Sequence, residues 1–199
     1  MGGERKKTSI KIGGGSAFWG DSAYSAIQLL DHKGIDYIVF DYLAEMTMSI
    51  LAGQRLKNRE LGYIKEFANE FVLPCAQQLK AGNVKLVSNA GGLNPFGLKE
   101  YLAQQLKSLG VNLKIAVIAG DDISSDTKLL EKYTNSAELL SANAYIGAFP
   151  TARALQLGAD IVITGRIVDS AASLGVLLHE FDWKQEQFDL LSAGCLAGQ

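Results

Sequence analysis

Polar and charged side chains follow the short apolar runs of this sequence, at the point where each run ends. The groups are residues 13–21, Asp41 with Glu45, residues 89–94, Asp121 with Asp122, Tyr145 with Gly147, and Thr164, Arg166 and Asp169. If the runs are parallel strands, their carboxyl ends lie at one edge of a sheet, and these side chains converge there. Converging carboxylates, amides and a guanidinium predict a small-molecule site.

Three carboxylates are the candidate catalytic groups: Asp41, Asp121 and Asp122. A partly buried carboxyl acts as a general acid or base, and Asp121 and Asp122 would together bind Mg²⁺ if their loop turned both the same way. Asp41 and Glu45 are four residues apart, a spacing that places two side chains on one helix face. The alternative role for these carboxylates is helix capping or simple solvation.

The glycines Gly13, Gly14 and Gly15 begin a stretch that fills part of the dinucleotide fingerprint, although Phe18 stands where its third glycine belongs. Asp41 ends the next apolar run, where such folds place the acid that binds a ribose. An NAD(P)-dependent oxidoreductase is therefore one alternative function. A plain turn is another interpretation, and Phe18 with Trp19 would also form a wall for an apolar ligand group.

Residues 88–95 (SNAGGLNP) predict an anion site, because small residues before a helix start offer backbone N–H groups and a helix dipole to a phosphate, carboxylate or thioester oxygen. The alternative is that Gly91 and Gly92 only form the turn while Asn94 caps the helix. Arg166 follows another apolar run, and its fork of donors makes it the strongest candidate ligand for an anion. Asp169 fits an N-cap better than a catalyst.

The elements that must position these groups alternate along the chain. The apolar runs are residues 9–14, 35–41, 84–92, 111–122, 142–149 and 159–166. A helical pattern follows each, which predicts parallel strands joined by right-handed crossovers. We expect an α/β fold, a mostly parallel, doubly wound, Rossmann-like sheet with helices on both faces. An incomplete (βα) barrel is the alternative, because periodicity does not separate the two.

Composition narrows the class of protein. The chain has 199 residues, 48% of them hydrophobic, and a net charge of -2. We expect one domain over residues 9–199 after a disordered basic tail at residues 1–8. No strong positive field points to nucleic acid, and neither a membrane span nor a signal peptide is evident. Two histidines and two distant cysteines leave little material for a metal cluster and favour a cytoplasmic location.

Six blocks of the sequence, in this order, resemble the N-terminal domain of the acyclic terpene utilization (AtuA-like) family: IGGGSAFWGD, DYLAEMTMSIL, VSNAGGLNP, GDD, SANAYIGAFP and DIVITGRIVDSA. The resemblance runs from about Ile10 to Gly194. It implies an enzyme, or part of one, in a route that degrades acyclic terpenoids such as citronellol and geraniol through CoA thioesters. A CoA thioester is then the expected substrate, while Mg²⁺ and NAD(P) stay open as cofactors.

The resemblance carries over a set of candidate site residues. They are Asp21, Asp41, Glu45, Asn89, Gly91, Gly92, Asn94, Asp121, Asp122, Asn143, Tyr145, Thr164, Arg166 and Asp169. The family pattern continues beyond Gln199, where a histidine usually stands, so we expect the chain to be part of a longer family domain. A non-catalytic ligand-binding or assembly module is a further alternative, since the apolar residues 188–198 predict association with another copy or with the continuing part.

Overall fold

The computed structural model describes residues 8–132 and 139–199, so residues 1–7 of the predicted tail lie outside the described residues. The strands are β1 (Ile12–Ser16), β2 (Tyr37–Phe40), β3 (Lys85–Ser88), β4 (Ile115–Ile118) and β5 (Ile161–Thr164). The helices are α1 (Ala23–Asp31), α2 (Glu45–Lys57), α3 (Ala76–Gly82), α4 (Pro95–Ser108), α5 (Thr127–Leu130), α6 (Phe149–Gln156), α7 (Ala171–Phe181) and α8 (Phe188–Ala197). A π-helical segment, Phe67–Val72, precedes α3.

The strands form one five-stranded sheet in the order β1-β2-β3-β5-β4. Every pairing is parallel, for example Ile12 beside Tyr37 and Val87 beside Val162. The sheet is open, with β1 and β4 at its edges. The prediction of an open α/β sheet is confirmed, and the barrel alternative is wrong.

Two layers of helices cover the sheet. Ile38 and Phe40 point into a core formed with α1, α2, the π-helical segment, α3 and α4, which we call the α1–α4 face. Tyr37 and Val39 point into a second core with α6, α7 and α8, the α6–α8 face. The connections that lead from β1 to β4 advance in one direction along the sheet, whereas the connection from β4 to β5 runs back. Right-handed crossovers therefore place α6 opposite α1–α4.

The predicted strand at residues 142–149 is wrong. This segment forms only isolated bridges, Asp122 with Asn143 and Ile146 with Ile167. It crosses the carboxyl ends of β4 and β5 instead of adding to the sheet, and Tyr145 is half exposed there. An apolar run alone does not specify a strand, because a strand also needs a neighbour with free backbone groups.

β1 runs to Ser16, beyond the predicted end of the run at residue 14, so Gly13, Gly14 and Gly15 all lie inside the strand and not in a loop. A Cβ atom on Gly15 would lie 2.6 Å from the Phe40 ring, and one on Gly13 would lie 2.9 Å from the Leu29 side chain. The glycines therefore let β1 pack closely against its neighbours on the α1–α4 face, most tightly at the Phe40 ring.

Side chains cap the starts of α1 and α4, and the predicted cap at Asn94 is confirmed. Ser22 accepts a hydrogen bond from the Tyr24 N–H at 3.2 Å, and Asn94 accepts one from the Gly97 N–H at 3.0 Å. Among the helices of the described residues, none is long and apolar enough to cross a membrane.

Candidate functional site

The order of the strands makes the chain leave two neighbouring strands towards opposite faces of the sheet. β3 is followed by α4 on the α1–α4 face, while its sheet neighbour β5 is followed by α7 on the opposite face. Open α/β sheets bind ligands at such a divergence. The backbones approach closely there, since a Cβ atom on Gly91 would lie 2.5 Å from the Thr164 carbonyl oxygen. Thr164 itself is buried and donates to the Gly165 carbonyl at 2.8 Å.

Asp41 lies at the carboxyl edge of the sheet, directly after β2. The Asn89 side chain donates to Asp41 Oδ1 at 2.5 Å and accepts from the Tyr42 N–H at 2.8 Å. Burial raises the pKa of Asp41 above its ordinary value, and the charge of Asp169 raises it further. The hydrogen bond from Asn89 and the charge of Arg166 lower this pKa without cancelling the rise. Asp41 is therefore a positioned carboxyl that exchanges a proton closer to neutral pH than an ordinary aspartate.

Asp41 and Asp169 border a cleft of about 580 Å³, which we call the β1–α7 cleft. Its remaining lining residues are Ile10, Ile12, Gly14, Ser16, Ala17, Val39, Phe40, Ala172, Ser173, Leu177, Ala197, Gly198 and Gln199. The volume falls within the range of small-molecule sites, about 300–1,000 Å³. Gly14 opens into this space, because a Cβ atom there would have no neighbour within 4 Å. The cleft thus combines apolar side chains on its walls with carboxylates and other polar groups.

Arg166, the predicted anion ligand, is 6% exposed, and its guanidinium forms hydrogen bonds with other groups of the protein. Its guanidinium donates to the Leu43 carbonyl and to the Tyr145 hydroxyl, and it lies 4.3 Å from the centre of the Tyr145 ring. Glu45 completes the group, with a carboxylate oxygen 3.5 Å from Arg166 and 3.2 Å from the Tyr145 hydroxyl. Arg166 therefore joins the chain after β2 to the segment that crosses β5, and its role as an anion ligand stays a prediction.

Asp121 and Asp122, the predicted carboxylate pair, point to different partners. Asp121 is 3% exposed and accepts from the Arg166 N–H at 2.7 Å and from the Asn143 side chain at 2.9 Å. Asp122 instead faces Arg55, whose nearest nitrogen lies 3.6 Å from its carboxylate. The geometry gives Asp121 a structural role at the edge and sets Asp122 apart from it. Among the described residues, no three His, Cys, Asp or Glu side chains gather as a metal site.

In the loop after β3, three backbone N–H groups already donate to carbonyl groups of the protein. The N–H groups of Gly92, Leu93 and Asn94 bind the carbonyls of Asn89, Gly62 and Gly91 at 2.8–3.1 Å. The loop from Asn89 to Leu93 is buried, and Asn94 caps α4. This geometry favours the turn-and-cap interpretation of SNAGGLNP, and anion binding by its N–H groups stays a prediction.

Phe18, Trp19 and Asp21 lie apart from the β1–α7 cleft. Trp19 and Asp21 line a smaller pocket of about 200 Å³ beside the core of the α1–α4 face. Phe18 is 56% exposed, and the Asp21 carboxylate accepts from the Ala17 N–H at 2.8 Å within the same turn. The dinucleotide fingerprint places its glycines in the turn between strand and helix, but the glycines here lie within β1.

Several residues of this region are absent from the sequence-based candidates. Ile10, Ile12 and Leu177 form apolar walls of the cleft, and Gly165 packs directly over the Asp121 carboxylate. The alternation of Ile10 and Ile12 is a visible signal for one strand face, and Gly165 lies near the end of the predicted strand at residues 159–166. Nothing local in the sequence indicates that Leu177 lies across from them.

The comparisons with known proteins give a family and no individual relative. The model of the family described as acyclic terpene utilisation family protein AtuA matches residues 10–199. No curated protein and no solved structure matches the chain. The match spans nearly the whole sequence, so the chain belongs to the AtuA family and has a role in acyclic terpene utilisation.

Proposed function

We propose that the chain acts in the breakdown of acyclic isoprenoid compounds by binding a branched acyl thioester in the β1–α7 cleft. The observation that carries this proposal is the cleft itself, about 580 Å³ in volume, with apolar walls and Asp41 at its border. The branched hydrocarbon chain lies along Ile10, Ile12 and Leu177, where burying its apolar surface contributes to binding. The thioester carbonyl lies towards Asp41 and Asp169.

Asp41 is the group that moves a proton in this proposal. Its raised pKa suits it to general acid–base chemistry, and the Asn89 amide fixes the orientation of its carboxyl group. In its acid form Asp41 donates a proton towards the carbonyl oxygen of the thioester. In its ionised form it accepts a proton from the carbon beside that carbonyl. Asp169 keeps a second negative charge near Asp41 and so favours the acid form.

Blocking the cleft tests this proposal directly. Gly14→Val adds a side chain on the cleft side of β1, at a position where nothing lies within 4 Å of the added Cβ atom. We expect citronellyl-CoA to raise the thermal stability of the native chain, by on the order of 2.7 kcal/mol at a hundred times its dissociation constant. Gly14→Val should lose this effect.

Gly53→Ala is the matched control, because a Cβ atom there also has no neighbour within 4 Å and the position lies in α2, away from the cleft lining. This variant should respond to citronellyl-CoA as the native chain does. Equal stabilisation by CoA alone, or an undiminished response of Gly14→Val, would contradict the placement of the acyl chain.

A further inference from the structure

A second groove lies at the outer side of α2, apart from the β1–α7 cleft. It has a volume of about 430 Å³ and is lined by Ala52, Arg55, Leu56, Arg59, Asp122, Ser124 and Leu140. Two of these side chains are cationic and one is anionic, so the lining carries net positive charge. Leu56 and Leu140 are 69% and 60% exposed, which gives the groove apolar walls as well.

The two arginines differ in how they are held. Arg55 donates to the Leu93 carbonyl at 3.0 Å and lies 3.6 Å from the Asp122 carboxylate, so its guanidinium has a fixed position. The Arg59 side chain is exposed and forms no hydrogen bond or ion pair with the described residues. A fixed guanidinium beside an uncommitted one offers several N–H donors to one anion, an arrangement that suits phosphate oxygens.

Asp122 limits how strongly the groove attracts anions. Burial alone would raise its pKa, but hydrogen bonds from Ser124 and the charge of Arg55 outweigh burial and lower it. The carboxylate is thus ionised at neutral pH and offsets part of the arginine charge. A basic residue near a helix C-terminus also interacts with the helix dipole, yet that role explains neither the groove nor the exposed leucines beside it.

We propose that this groove binds a phosphate group attached to an apolar or aromatic moiety, with Arg55 and Arg59 on the phosphate and Leu56 and Leu140 against the attached group. The ligand chemistry fits both the nucleotide half of a CoA thioester and a prenyl diphosphate. The site does not depend on the acyl chain binding in the β1–α7 cleft, because no residue lines both spaces.

Titration calorimetry at low ionic strength tests this proposal with three probes: adenosine 3′,5′-bisphosphate, geranyl diphosphate and inorganic pyrophosphate. We expect at least one organic probe to bind more tightly than pyrophosphate, and the tighter one identifies the source of the phosphate. Arg59→Ala should weaken that binding roughly tenfold or more, because it removes a charge-assisted contact from an otherwise unchanged fold. Arg153→Ala, which removes an exposed arginine on α6, is the matched control and should change the affinity less than twofold.

A variant that should strengthen phosphate binding provides a further test. Asp122→Asn keeps the oxygen that accepts the hydrogen bonds from Ser124 but removes the negative charge, so phosphate binding should tighten severalfold. Gly14→Val should bind the phosphate probe like the native chain, which separates this proposal from that of the acyl site. Absence of binding by all three probes at millimolar concentration, or equal affinity in native chain and Arg59→Ala, would overturn the proposal.

Discussion

The glycines of β1 serve different purposes on the two faces of the strand. On the α1–α4 face, Gly13 and Gly15 are pressed against Leu29 and Phe40, and a methyl group would collide with them. On the opposite face, Gly14 meets open space at the β1–α7 cleft. Glycine permits close packing in the first case and leaves room in the second. The open face is the one that borders Asp41.

The same contrast extends across the sheet. Phe40 packs against Phe67 and Phe71 on the α1–α4 face, with ring centres 5.2 and 5.0 Å apart. On the other face, α7 leaves Ile12 only half buried at the edge of the sheet. A filled layer supports the sheet from one side, and the other side leaves the β1–α7 cleft open.

The largest expected effect compares a side chain from each face. Phe71→Ala removes a fully buried ring from the filled face and should lower the free energy of unfolding by about 3–5 kcal/mol. Leu177→Ala removes a half-buried side chain from the cleft wall and should cost about 1 kcal/mol. Urea denaturation of both variants measures the difference. Equal losses would show that the two faces are packed alike.

The glycines of β1 should give a smaller effect that changes sign along the strand. Gly15→Ala places a methyl group against the buried Phe40 ring and should cost about 1–3 kcal/mol. Gly14→Ala meets no neighbour and should raise stability by about 0.5–1 kcal/mol, because alanine loses less backbone entropy on folding. Thermal unfolding of the two variants provides the comparison. Destabilisation by Gly14→Ala would contradict an open cleft at that position.

The pH dependence of stability should give the smallest effect, with opposite signs for two carboxyl groups. Burial raises the pKa of Asp41, so the folded chain holds its proton more tightly than the unfolded chain does. The contribution of Asp41 to the free energy of unfolding therefore decreases as pH rises from below the ordinary aspartate pKa to above the pKa of Asp41 in the folded chain. Asp41→Asn removes this fall, and its stability relative to the native chain should therefore increase with pH.

Glu45 should show the opposite pH dependence of stability and therefore serves as the control for Asp41. Hydrogen bonding to the backbone at the start of α2, together with Tyr145 and Arg166, lowers the pKa of Glu45. The contribution of Glu45 to the free energy of unfolding is present above the ordinary glutamate pKa and is lost as pH falls through the pKa of Glu45 in the folded chain. Glu45→Gln should therefore lose stability relative to the native chain as pH rises. Unfolding curves recorded between pH 3 and pH 7 test both slopes, and slopes of the same sign would contradict the contrast.

Local features of the fold could be predicted from the sequence because each depends on neighbouring residues. The Asn94 cap of α4 and the alternation of apolar runs with helices are of this kind. Residues 142–149 have the same apolar pattern as a strand, but the sheet offers them no position. Whether a strand has a neighbour is a property of the whole fold.

The contacts of the site were harder to predict, because residue type does not determine the partner. Arg166 has the chemistry of an anion ligand, yet its guanidinium binds the Leu43 carbonyl and Tyr145. Ile10 and Leu177 line the same cleft only because the chain returns across the sheet after β5. The edge where polar residues gather follows from strand direction, whereas the cleft beside it depends on how α7 packs.

Methyl NMR of the native chain tests the central claim most directly, that a branched acyl group lies on the open face of β1. With ¹³C-labelled isoleucine and leucine methyl groups and unlabelled citronellyl-CoA, we expect intermolecular nuclear Overhauser effects to Ile10, Ile12 and Leu177. Leu51 and Leu98, in the core of the α1–α4 face, should show none. Contacts confined to other methyl groups, or none at saturating ligand, would contradict the claim.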